Sequence, residues 1–231
     1  MNVLIACEES QEVCKAFRAK GHNAFSCDIQ ECSGGHPEWH IQCNVETVLK
    51  DNYHVDGWFT GIVIRTMDGV NHFIPKWDMI IAHPPCTDLA ISGARWFKEK
   101  QADGRQQASI EFFMKFVDLD CPKVVIENPV CIMSSIYRKP DQIIHPYMFG
   151  DPVRKKTCLW LKGVPKLLPT NIVEPDIIKD GNTSYSGPAY YAKDENGKIL
   201  SWNDPRTAKI RSRTYSGIAQ AMAEQWGGNY G

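Results

Sequence analysis

The chain lacks an excess of either charge. Its 26 Lys and Arg stand against 27 Asp and Glu, a formal net charge of −1 with neutral histidines. A protein coated in positive charge is thereby excluded, although a local basic groove is not. No apolar run approaches the ~18 residues of a membrane span. The first ten residues have no basic leader and turn acidic at Glu8, so a first strand is expected there instead of a signal peptide. Nine cysteines are present, an odd number, with no Cys-x-x-Cys and no paired Cys/His spacing. No metal site is expected from them, and a reducing, intracellular setting is the simplest account. Internal repeats and low-complexity tracts are also missing. At 231 residues, 43% apolar and 23% charged, the chain is expected to build one sizeable core.

The stretch that organises the rest runs from Trp77 to Gly93. Met79 to Ala82 has the length of a buried strand. Pro84 and Pro85 then stop any ladder, because neither has an N–H to give. Cys86 follows at once, and Thr87 to Ala90 is expected to turn helical. Cys86 is therefore expected at the carboxyl end of a central strand, where ligands gather in open α/β sheets. A helix N-terminus beside it would lower the thiol pKa. Most free cysteines simply pack as small hydrophobes, but packing does not explain two prolines in front of this one.

The remaining chain reads as alternating strands and helices. Asn2 to Ala6 is a buried strand, Ser10 a candidate cap, Gln11 to Lys20 a helix ended by Gly21, and Ala24 to Cys27 a second strand closed by Asp28. An acid at that strand tip is where nucleotide-binding α/β proteins hold a ribose hydroxyl, or it merely ends the strand. A short strand is expected over His40 to Val45. Residues 48–76 read as an insertion, in which Trp58 to Arg65 and Val70 to Ile74 flank Asp68-Gly69, a hairpin signal; the hairpin is expected to project from the domain. Arg95 to Lys100 and Gly104 to Leu119 read as helical, with Ile110, Phe113, Met114 and Val117 as core. Pro122 to Ile126 is a buried strand ending in Glu127-Asn128-Pro129. Gln142 to Phe149 and Thr157 to Leu161 are expected as a final strand pair.

From residue 163 to about 213 helical periodicity is lost. Tyr185, Tyr190, Tyr191 and Trp202 precede Arg206, Lys209, Arg211 and Arg213, with no acid among the residues from 206 to 213. Aromatics beside a basic run suit a nucleic acid, and equally an exposed polar loop. Ser216 to Trp226 reads as an amphipathic helix with Ile218, Met222 and Trp226 on one face.

Two strand ends thus carry reactive groups, a thiol and a carboxyl, the pairing for covalent catalysis with substrate protonation. In Pro84-Pro85-Cys86 with Ser92-Gly93, in Glu127-Asn128, and in Gly150-x-Pro152-x-x-Lys155-x-Thr157, the chain resembles the C5-cytosine DNA methyltransferases. The resemblance runs over residues 1 to about 162 and again over 211 to 226. It implies an α/β, Rossmann-like class I S-adenosylmethionine-dependent methyltransferase fold with a mostly parallel central sheet and a β-hairpin insertion. It divides the chain into a catalytic domain (1–162, with the hairpin at about 48–76), a loop-rich target-recognition elaboration (163–213) and a closing helix packed back on the catalytic domain (214–231).

The resemblance also implies the chemistry. Cys86 would attack C6 of a cytosine flipped from duplex DNA, or held in a single strand, while Glu127, beside Asn128, stabilises N3. Lys155 and Thr157 would contact the base or its sugar-phosphate. S-adenosylmethionine would be framed by Ala6, Cys7, Glu8, Glu9, Ser10, Asp28, Ile29, Asn44, His83 and Pro84. Arg154, Lys156, Arg206, Lys209, Arg211 and Arg213 would meet the nucleic-acid backbone. A monomer in the cytoplasm of a bacterial or phage-infected cell is expected. The chain departs from the family in five ways: its first loop has no glycine and two acids, His83 precedes Pro-Pro, Lys155 and Thr157 stand for two arginines, Pro129 follows Glu-Asn, and the target-reading region, residues 163–213, is short. Three alternatives stay open: the same chemistry on RNA or a free pyrimidine nucleotide, a non-catalytic DNA-binding protein, and a cysteine hydrolase using Cys86 and His83.

Overall fold

Strand β1 (Asn2–Ala6) is apolar on both sides, the pattern of a strand covered on both faces. It sends Leu4 and Ala6 into one core layer and Val3 and Ile5 into the other. The computed structural model describes residues 1–49, 54–55, 59–180, 183–186, 194–196, 198, 200–201 and 204–228. Trp58, Tyr190, Tyr191 and Trp202 lie outside these, and only the backbone of Tyr185 lies within them.

After β1 come α1 (Glu12–Ala19), β2 (Asn23–Asp28), β3 (His40–Gln42), α2 (Glu46–Leu49), β4 (His54–Val55), β5 (Phe59–Thr60), β6 (Ile62–Arg65), β7 (Asn71–Ile74) and β8 (Met79–Ala82). Then follow α3 (Phe97–Ala102), α4 (Arg105–Val117), β9 (Val124–Pro129), α5 (Met133–Ile136), β10 (Gln142–Ile144) and β11 (Thr157–Lys162). The chain ends with β12 (Ile177–Asp180), β13 (Thr183–Ser186), α6 (Pro205–Ser212) and α7 (Ser216–Trp226).

The central sheet has the order β10-β11-β9-β8-β1-β2-β3. Strands β3, β2, β1, β8 and β9 are parallel, while β11 runs antiparallel to both β9 and β10. The chain winds outward from β1 through β2 and β3, returns to β8 beside β1, and winds outward the other way. This is a Rossmann-like α/β fold, and the crevice beyond the carboxyl ends of β1 and β8 is its topological switch point.

Helix α7 closes one face, burying Ile218, Met222 and Trp226 in the layer that holds Val13 and Phe17 of α1. Helix α4 covers the other face with Phe113 and Phe116. The β6–β7 hairpin turns at Gly69, whose φ is +87°. It does not project: Ile62, Ile64 and Ile74 pack into the main core, and Met67 N–H donates to His40 O at 2.8 Å. Its period-two pattern, buried residues alternating with exposed Val63 and Arg65, is that of a half-covered sheet laid on the domain.

Two other expectations give way locally. Only Gln142–Ile144 continues the strand expected to Phe149, because Pro146 opens a 3₁₀ turn over Pro146–Met148. In the region expected to lack helix, Asp204 caps α6, its Oδ1 accepting from Arg206 N–H at 2.9 Å with Pro205 in the first helical turn.

Candidate active site at the sheet's carboxyl edge

Strand β9 is longer than its parallel neighbour. Pairing with β8 stops at Ala82↔Ile126, whereas pairing with β11 continues through Leu159↔Glu127, Cys158↔Asn128 and Thr157↔Pro129. Antiparallel β11 therefore carries Glu127 and Asn128 past the end of β8, alongside the segment His83 to Cys86. Side chains lock the two tips together. His83 Nδ1 lies 3.1 Å from Glu127 Oε2, and Asn128 Nδ2 donates to Pro84 O at 2.8 Å. His83 N–H donates to Ala6 O at 2.9 Å, tying the same segment to β1.

Cys86 is half-buried at the edge of this knot. The helix expected over Thr87 to Ala90 does not form; a 3₁₀ turn begins only at Ile91. Residues 87–89 form a turn in which the N–H groups of Leu89 and Ala90 both donate to Cys86 O, at 3.1 and 2.8 Å. The turn is held by distant ties: Ala90 bridges Cys131, and buried Lys100 holds Thr87 O and lies 3.2 Å from Asp88 Oδ1. The expected lowering of the thiol pKa fails with the helix. Burial pushes the Cys86 thiol up, and the Glu127 carboxylate adds to that; Lys155 and Arg211 pull the other way without reversing it.

His83 and Glu127 form a part-buried acid–base pair, with side chains 11% and 20% exposed. Burial works against the imidazolium, but the Glu127 hydrogen bond and the charges of Glu127 and Glu8 outweigh it, and His83 is raised. Burial likewise opposes the carboxylate, yet His83 and Lys155 prevail and Glu127 is lowered. The pair holds one proton between an imidazole and a carboxylate. His83 Nε2 and Asn128 Oδ1 are buried with no hydrogen-bond partner among the described residues. Buried polar atoms without partners are costly, and at a site they are the groups a ligand satisfies.

The first loop solves its lack of glycine by strain. Cys7 and Gln11 both adopt left-handed backbone, φ 61° and 60°, at about 1–3 kcal/mol each. Ser10 does not cap α1. Glu8, buried in the loop, accepts from Val13 N–H at 2.7 Å and Cys14 N–H at 3.2 Å, filling the helix N-terminus with its own carboxylate. Burial pushes that carboxyl up, while His83 and the two N–H groups restrain it. The needed glycine comes from elsewhere: a Cβ on Gly34 would lie 2.5 Å from Gln11 Cβ and 2.6 Å from Ser10 O.

A cleft of about 410 Å³ opens beside this loop. Cys27, Asp28, Ile29 and Gln30 line it from the end of β2, Cys43, Asn44 and Val45 from the end of β3, and Cys7 from the first loop. Pro85 and, from α4, Ala108, Ser109 and Phe112 complete the wall. Ile29 is 73% exposed beside Asp28, an apolar side chain offered to the cleft. Of the candidate cofactor residues, Cys7, Asp28, Ile29 and Asn44 line the cleft. Ala6, Glu8, Glu9, Ser10, His83 and Pro84 do not; Ala6, His83 and Pro84 belong to the knot at the strand tips, and Glu8, Glu9 and Ser10 to the first loop. The α4 residues were missed because the sequence marked only Ile110, Phe113, Met114 and Val117 on that helix, whereas Ala108 and Phe112 lie on the row of Phe116, whose ring Phe112 meets at 5.3 Å.

Among solved structures, the chain is similar to a protein provisionally described as a DNA modification methyltransferase encoded within an E. coli prophage, with 16% identity and a TM-score of 0.45. The match covers 76% of this chain and 52% of that one, so this chain spans about half of its length. A likeness of that size carries no argument about activity. No family model and no curated protein matches the chain.

The basic candidates divide. Lys155 Nζ donates to Arg211 O at 2.9 Å, and Lys209 Nζ lies 3.4 Å from Glu9 Oε2, so α6 bridges the first loop and the β11 approach. Arg206 is spent on Asp204 at 2.8 Å. Arg154 stacks over Tyr147 at 6.0 Å, and Lys156 and Arg213 are both exposed. Thr157 is buried where β11 begins, opposite Pro129, with its side chain turned into the fold. Among the described residues no helix is long and apolar enough to cross a membrane, and no three metal-ligating side chains gather.

Proposed function

We propose that the chain transfers a methyl group from S-adenosylmethionine to C5 of cytosine in DNA through a Cys86–C6 adduct. The observation that carries this is the knot at the tips of β8 and β9, which joins the Cys86 segment to Glu127 and Asn128 through His83 and Pro84.

The cleft suits the cofactor on physical grounds. Glu8 already occupies the N-terminus of α1, the site where dinucleotide-binding folds receive a phosphate. A phosphate-free nucleoside ligand is what remains compatible, with Asp28 for ribose hydroxyls and Ile29 against the flat base. S-adenosylmethionine, when bound, supplies the electrophilic methyl group.

The chain's own residues do the rest. Glu127 with His83 takes the Cys86 proton as sulfur bonds to C6, and returns a proton to the pyrimidine N3, where negative charge collects. Asn128 Oδ1 and His83 Nε2 offer an acceptor and a second ring nitrogen to the base edge. C5 becomes nucleophilic and takes the methyl group. Loss of the C5 proton to a base then expels the Cys86 thiolate, and N3 gives its proton back to the Glu127–His83 pair. Lys155 and Arg211, whose charges favour the thiolate, meet the incoming phosphate backbone, and the basic side chains of α6 extend that approach.

Nucleoside mass spectrometry of host DNA after expression tests the reading, with 5-methylcytosine as the expected product. Labelling of dCMP, but of no duplex, by purified protein with labelled S-adenosylmethionine would transfer the same chemistry to a free nucleotide and end the DNA reading.

A further inference from the structure

The cofactor cleft carries three thiols, Cys7, Cys27 and Cys43, that the proposed methyl transfer does not use. They differ sharply. Burial, with the Asp28 carboxylate, pushes Cys7 up to about 12. Cys27 is fully buried, and the adjacent Cys43 sulfur and burial push it up. Cys43 is half-buried, and the Cys27 thiol turned towards it pulls it down to about 6. The two sulfurs are 3.8 Å apart.

Sheet geometry explains the pairing. In the parallel β2–β3 register Cys27 faces Ile41, so Cys43 is two residues further on and projects to the same side. Cys43 lies one residue beyond β3, held by N–H bonds to Asp28 O and Ile41 O at 3.0 and 3.1 Å. Closing the gap to a disulfide bond of about 2.05 Å asks for a short movement of this one residue outside the ladder.

We propose that Cys43 and Cys27 are a hydroperoxide-reactive pair at the rim of the cleft, Cys43 attacking and Cys27 resolving. The Cys43 thiolate displaces the peroxide's O–O bond, giving Cys43 sulfenic acid and releasing an alcohol or water after protonation. The Cys27 thiol then attacks the sulfenic sulfur, forming the disulfide and releasing water; the peroxide is reduced by the two electrons the thiols lose. Asn44 follows Cys43 directly and lines the cleft while its Oδ1 accepts from Glu46 N–H at 3.0 Å. Closing the disulfide therefore pulls on the cleft rim. Only this last link rests on the cleft being the S-adenosylmethionine site.

The test is peptide mapping of the full chain after hydrogen peroxide treatment. The intact mass should fall by two hydrogens, with Cys27 and Cys43 in one cross-linked fragment. In Cys27→Ser a dione probe should trap sulfenic acid on Cys43. Iodoacetamide at neutral pH should alkylate Cys43 about tenfold or more faster than Cys7. Oxidation of other cysteines while Cys27 and Cys43 stay reduced, or Cys43 passing to sulfonic acid without cross-linking in the native chain, overturns the pair. Excess S-adenosylhomocysteine should slow Cys43 alkylation. If it does not while the cross-link still forms, the thiol pair stands and the cofactor reading of the cleft fails.

Discussion

The two halves of one sheet edge are built by opposite means. At the tips of β1, β2 and β3 the cleft is apolar and sulfur-lined, and Glu8, buried in the loop beside it, is spent inside the fold on the N-terminus of α1. At the tips of β8, β9 and β11 polar groups gather instead: a shared proton on His83 and Glu127, a half-buried thiol, and Lys155 held by α6. The first half can hold a flat, uncharged ring; the second can move protons and stabilise charge. Their seam is the N–H of His83 on Ala6 O, so each half fixes the other.

Changes on the reactive half should strike activity and those on the apolar half stability, and departures from that division break the comparison. The largest effect is expected from Cys86→Ser, which should bring 5-methylcytosine formation below detection by nucleoside mass spectrometry while thermal unfolding stays near the parent value. Glu127→Gln should lower turnover about 10²–10⁴-fold, since it cannot take and return a proton; steady-state rates on a DNA substrate measure this. On the other side, Trp226→Ala empties a fully buried site and breaks the Nε1 bond to Pro165 O at 2.8 Å. It should cost about 3–5 kcal/mol in urea unfolding. Glu8→Ala should cost about 1–2 kcal/mol by the same measurement, because two N–H groups of α1 lose their acceptor.

The smallest effect is pH dependence. His83 is raised in the folded state, so its contribution is present below the ordinary imidazole value of 6.5 and lost as pH rises through the folded pKa. Glu127 is lowered, so its contribution is present above the ordinary value of 4.5 and lost as pH falls through the folded pKa. The pair should stabilise most between those ordinary values. Urea midpoints followed across mildly acidic pH should fall towards either side of that window, and His83→Asn should flatten the profile.

The sequence made the reactive half legible because its signals are local. Two prolines and a cysteine after an apolar run, and Glu-Asn at the end of another, specify a strand tip whatever surrounds them. The parallel order of the strands follows from their alternation with helices. What was not legible depended on long-range contacts. The turn after Cys86 is set by Lys100 and by the bridge to Cys131, so local helix propensity at Thr87 to Ala90 was overruled. The role of Glu8 depends on where α1 begins, which strained Gln11 fixes with its side-chain bond to His36 O at 2.9 Å. The hairpin's inner face was visible as alternation, but not which surface it would cover. Asp204-Pro205 carries the signal of a cap and first helical residue, but no apolar periodicity follows it to mark α6.

The central claim is a covalent bond between the Cys86 sulfur and the pyrimidine ring. DNA containing 5-fluorocytosine, incubated with the native chain and S-adenosylmethionine, should give a complex that survives denaturing electrophoresis, and digestion should leave the nucleotide on the Cys86 peptide. Methylation of ordinary DNA by the native chain without any trapped complex, or an equally active Cys86→Ser chain, would contradict it.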